Sequence, residues 1–68
     1  MTLTINGKES SFENGAPATI TELLAQLGLE GKPVLVEHNG TALFPREFAT
    51  TTLASGDRVE LIQVAAGG

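Results

Sequence analysis

The chain has 68 residues and no cysteine, and its 8 acidic against 4 basic side chains give a formal net charge of −4. That length makes one small domain, burying about 60% of the surface its unfolded chain exposes, too little to lead us to expect a self-contained catalytic cleft. The acidic balance argues against a nucleic-acid footprint or an anionic membrane surface, the missing thiols exclude disulfide staples and thiolate metal ligation, and 41% hydrophobic residues exclude a disordered acidic tail.

Thr2-Leu3-Thr4-Ile5 alternates polar and apolar residues, and Asn6-Gly7 follows as a two-residue hairpin signal. With Lys8 to Phe12 returning, the register pairs Ile5 with Lys8, Leu3 with Ser10 and Met1 with Phe12. Met1, Leu3, Ile5 and Phe12 then share the core face, and Thr2, Thr4, Glu9 and Ser11 face water. Thr19-Ile20-Thr21-Glu22 reads as a capping box in which Glu22 reaches back to the N–H of Thr19. Ile20, Leu23, Leu24 and Leu27 form one apolar stripe, so a helix is expected from about Ile20 to Leu27, with Gly28 as its C-terminal cap.

Pro33 to His38 is the next strand, and its run Val34-Leu35-Val36 suggests cover on much of both faces. Asn39-Gly40 is a second hairpin turn, and Thr41 to Phe44 returns. Pro45 leaves the sheet. Phe48 and Leu53 are candidate core plugs in an irregular stretch. Ser55-Gly56-Asp57 is a tight turn, and Arg58 to Val64 is the last strand. One amphipathic helix between two hairpins and a returning strand gives an α+β roll of β-grasp (ubiquitin-like) type. Its mixed sheet of four to five strands packs on the helix; by analogy with that fold, and not from spacing, the first and last strands pair in parallel at its centre. Residues 1–64 form the domain, and residues 65–68 a flexible tail.

Side-chain chemistry is sparse. His38 is the only histidine, and as an exposed strand-end residue beside a turn it makes a poor general base. A triad with Ser10, Ser11 or Ser55 has no cleft to hold it. No metal site is expected, since Glu37 and His38 point to opposite faces. Arg46 is either a solvated charge paired with Glu47 or Asp57, or a partner contact. In the last strand Val59 and Leu61 share one parity and Ile62 and Val64 the other. With Val59 and Leu61 inward, Leu35, Ile62 and Val64 form an outer apolar patch for a protein partner. A bulge returning Ile62 to the core is the alternative. The sequence ends Ala65-Ala66-Gly67-Gly68 directly after this strand. Such a tail is thin enough to enter a narrow channel, and glycine leaves the terminal carboxylate approachable; an ordinary frayed terminus is the alternative.

Several segments together resemble the ThiS family, the sulfur carrier proteins of thiamine (thiazole) biosynthesis. They are Asn6-Gly7, Glu22-Leu23-Leu24 with Leu27, Val36-Glu37-His38-Asn39-Gly40, Phe44-Pro45-Arg46-Glu47-Phe48, Gly56-Asp57 with Val59-Glu60-Leu61, and Val64 with Ala66-Gly67-Gly68. The resemblance implies that the chain is a protein co-substrate and not an enzyme. A partner adenylating enzyme, using ATP and Mg²⁺, would convert the Gly68 carboxylate to an acyl-adenylate. A persulfide sulfur-donor protein would replace AMP to leave a thiocarboxylate, which thiazole synthase would receive. Gly67, Ala66 and Ala65 would keep the tail thin, while Leu35, Ile62 and Val64, with Arg46, would dock partners. No bound cofactor, no nucleic acid and no membrane is expected. The free chain should be a cytoplasmic monomer, since a secreted domain this small usually needs disulfides and no apolar leader run is visible. Three alternatives stay open: the related small subunit of molybdopterin synthase, a passive ubiquitin-like binding module, and a covalent modifier joined to lysines through Gly68.

Overall fold

A computed structural model describes residues 1–64. Strand β1 (Thr2–Ile5) turns through Asn6-Gly7 into β2 (Lys8–Ser11), and helix α1 (Ile20–Gln26) crosses to β3 (Val34–His38). Strand β4 (Thr41–Leu43) is followed by a 3₁₀ turn over Pro45–Glu47, and β5 (Arg58–Gln63) returns to the sheet. The sheet order is β2-β1-β5-β3-β4. β5 runs parallel to β1 and antiparallel to β3, so the last strand occupies the centre of a five-stranded mixed sheet. The β-grasp architecture and the register of the first hairpin, Leu3 opposite Ser10 and Ile5 opposite Lys8, are those expected from the sequence.

The core gathers Leu3 of β1, Ile20, Leu23 and Leu24 of α1, Val34 and Val36 of β3, Val59 and Leu61 of β5, and Leu53 from the connecting loop. Met1, Ile5, Phe12 and Phe48 pack around it, half-buried. Only one face of β3 is covered: Val34 and Val36 are buried, but Leu35 is 60% exposed. The run of three apolar residues therefore reflects an exposed outer residue between two core residues.

Both helix ends differ in detail from expectation. Thr19 Oγ1 accepts from the Glu22 N–H at 3.2 Å. The Glu22 carboxylate accepts from Ala18, not Thr19, at 3.2 Å. The first-turn N–H groups of Ile20 and Thr21 donate to the carbonyls of Thr51 and Phe48. The loop between β4 and β5 thus satisfies helix donors that would otherwise be orphaned. At the other end, the Gly28 N–H donates to Ala25 O and the Leu29 N–H to Leu24 O, with Gly28 at φ +75°. This 5→2 and 6→1 pattern brings the residue after the glycine back onto the helix. Leu29 therefore packs against the core, and Leu27, expected in the stripe, is 42% exposed.

Candidate functional site

β5 leads into the C-terminal segment, and two asparagines hold it. Asn6 and Asn39 both sit at φ 50°, the left-handed conformation that an Asn-Gly hairpin turn requires. That geometry also directs their amides sideways. Asn6 Oδ1 accepts from the Leu61 N–H at 2.7 Å, and its Nδ2 donates to the Leu61 carbonyl at 3.1 Å. The side chain thereby imitates a peptide unit and extends the short parallel ladder between β1 and β5. Asn39 Oδ1 accepts from the Arg58 N–H at 2.8 Å, and its Nδ2 donates to Asp57 Oδ1 at 3.2 Å. At the far end the Val64 N–H donates to Pro33 O at 3.0 Å. The strand is fixed along its whole length. Ala65, Ala66, Gly67 and Gly68 lie outside the described residues.

The outer face of the sheet carries the expected patch. Leu35 and Ile62 lie directly opposite each other on β3 and β5, each 60% exposed, and no bulge interrupts the register. Val64 continues the same parity and is exposed. Phe44, in extended backbone just past β4, has the outward parity of Ala42 and is 59% exposed. The Arg46 guanidinium lies 4.6 Å from the Phe44 ring centroid, a cation–π arrangement. Among the described residues Arg46 makes no ion pair with Glu47 or Asp57. Glu47 instead accepts from the Phe44 N–H at 2.8 Å. One rung along from the apolar pair, Glu37 faces Glu60 across β3 and β5. A shallow groove of about 180 Å³ runs between these rungs, lined by Leu35, Ile62, Glu37, Glu60, Ala42 and Leu43 among others.

His38 is not the exposed strand-end residue expected. Its Nε2 lies 2.8 Å from Asp57 Oδ2, and both side chains are partly buried. Burial pushes the Asp57 carboxyl up, but the hydrogen bonds from His38, the Ala54 N–H and Asn39 together outweigh it and hold the group below its ordinary value. The cluster ties the β3–β4 turn to the turn preceding β5. The Ser55 hydroxyl accepts from the Thr2 N–H, and no serine among the described residues is bonded to His38. Among the described residues no three His, Asp or Glu side chains converge as a metal site. No described helix is long and apolar enough to cross a membrane.

The ThiS family model matches residues 2–68. The chain belongs to the ThiS family, the sulfur carriers of thiamine biosynthesis. Two solved structures of a thiamine biosynthesis protein (ThiS) from Geobacter metallireducens are similar to this ThiS-family chain. The crystal structure is 41% identical with a TM-score of 0.83 and full coverage of both chains. The solution structure is 39% identical, also at 0.83, and this chain covers 88% of it. A thiazole synthase of Paramagnetospirillum magneticum is 34% identical over all 68 residues, which span 20% of that relative's length.

Proposed function

We propose that this ThiS-family chain is a carrier whose Gly68 carboxylate takes up sulfur and delivers it to thiazole synthase. A carboxylate is resonance-stabilised and resists nucleophiles, so it must first be activated. In the proposed sequence, a partner adenylating enzyme with ATP and Mg²⁺ joins the Gly68 carboxylate to AMP and releases pyrophosphate. The terminal sulfur of a protein persulfide displaces AMP, and a thiol reductant cleaves the resulting S–S bond to leave the thiocarboxylate. Catalysis belongs to the partners. This chain contributes a rigid β-grasp domain, residues 1–64, and a thin tail, residues 65–68, whose Gly67, Ala66 and Ala65 fit a narrow channel. Leu35, Ile62 and Val64, flanked by Arg46 stacked on Phe44, form the docking face.

What supports this reading most is that the family match covers residues 2–68 and so includes Gly68. The thiazole synthase relative favours the thiazole branch over the molybdopterin one. Removing Gly68 should abolish sulfur uptake in a reconstituted reaction while leaving the thermal midpoint unchanged, since the domain core ends before it. Normal uptake by the truncated chain would refute the carrier reading.

A further inference from the structure

Glu37 and Glu60 are directly opposed in the antiparallel β3–β5 register, which sets their Cβ atoms about 4.5–5.5 Å apart. Both are exposed. Like charges so placed destabilise a sheet, and neither carboxylate forms an ion pair: the one ion pair among the described residues is His38–Asp57. Arg58, two residues before Glu60 on the same face, pairs with neither carboxylate. The next rung is Leu35 opposite Ile62, and the groove of about 180 Å³ joins the two rungs. An apolar floor with paired carboxylates at one end is complementary to a side chain that is apolar along its stem and cationic at its tip.

Arginine fits this description best. Its methylenes cover apolar surface while the head stays polar, and its planar fork of five donors can bridge two carboxylates, which a lysine point charge does less well. A second copy of this chain does not fit, because face-to-face pairing would bring four carboxylates together. We infer that the groove seats an arginine side chain of the adenylating enzyme, its stem over Leu35 and Ile62 and its guanidinium between Glu37 and Glu60. This rests on the carrier reading and names the chemistry of its docking face. The acidic pair then destabilises the free chain and becomes favourable only in the complex.

The test is binding of the chain to its purified adenylating enzyme, followed by calorimetry at several salt concentrations. The double variant Glu37→Gln/Glu60→Gln should weaken binding at least about tenfold and flatten its salt dependence. Its own thermal midpoint should stay unchanged or rise, and Glu30→Gln, on the loop after α1, should bind as wild type does. Phenylglyoxal labelling of the enzyme should find one arginine shielded by the wild-type chain and not by the double variant. Unchanged affinity of the double variant, with binding lost in Ile62→Glu, would overturn the arginine seat and leave the docking face standing. No arginine shielded from phenylglyoxal, with a lysine protected from acetylation by acetic anhydride instead, would overturn it too. Unchanged affinity in Ile62→Glu as well would remove the docking face itself.

Discussion

Asn6 joins a turn to a strand 55 residues away, and this double duty sets it apart from an ordinary hairpin asparagine. Replacing it with glycine keeps the positive φ but removes both bonds to Leu61. Asn6→Gly should therefore cost about 1–3 kcal/mol, read by chemical denaturation, whereas an effect near zero would make the turn conformation its whole role. Asp57 acts in the same way at the other turn. Because its folded pKa is depressed, its contribution is full above the ordinary carboxylate value of 3.8 and is lost as the pH falls through the folded value. The stability gap between wild type and Asp57→Asn should be widest near neutral pH and close below pH 3.8. A gap independent of pH would mean that the ionisation of Asp57 contributes nothing to stability. Neither asparagine bridge nor the His38–Asp57 pair was legible in the sequence, since Asn-Gly specifies a turn and says nothing about a strand paired from the far end of the chain.

At the scale of the element, α1 shows how a cap decides which residue is buried. The periodicity places Leu27 on the apolar stripe, but the chain leaves the helix there, and the glycine turn at Gly28 folds Leu29 under instead. Leu29→Ala should cost about 1–2 kcal/mol and Leu27→Ala less than about 1 kcal/mol; equal losses would show that the cap does not select between them. Gly28 at φ +75° was the signal available, because a left-handed cap predicts that the residue after it returns to the helix. Strand β5 followed its alternation faithfully. Val59 and Leu61 point inward and Ile62 outward, so Ile62→Glu should change stability by less than about 0.5 kcal/mol while abolishing partner binding. A large loss of stability would place Ile62 among core contacts.

For the whole molecule, two turn dipeptides, one helical stripe and the parity of the last strand were enough to specify the β-grasp roll, because each hairpin fixes its own register and one helix has only one sheet to cover. The parallel pairing of β1 with β5 came from the fold's likeness alone, and only two residue pairs form it, supplemented by Asn6. On the outer face the apolar residues were legible as alternation. The opposition of Glu37 and Glu60 was not, since it depends on the β3–β5 register between strands far apart in the chain. The described residues present a strand fixed at the sheet centre and an outer face that carries apolar and acidic groups together. Acidic surface also steers encounter with a basic partner, so the association rate with the adenylating enzyme should fall steeply as salt rises.

Intact-mass spectrometry after incubation with ATP, a persulfide donor, a thiol reductant and the purified adenylating enzyme addresses the carrier chemistry directly. Replacement of one oxygen by sulfur, localised to Gly68 by fragmentation, is the expected result. An unchanged mass with no AMP adduct, from an enzyme verified as active, would leave a ubiquitin-like domain that binds through its sheet and never activates its C-terminus.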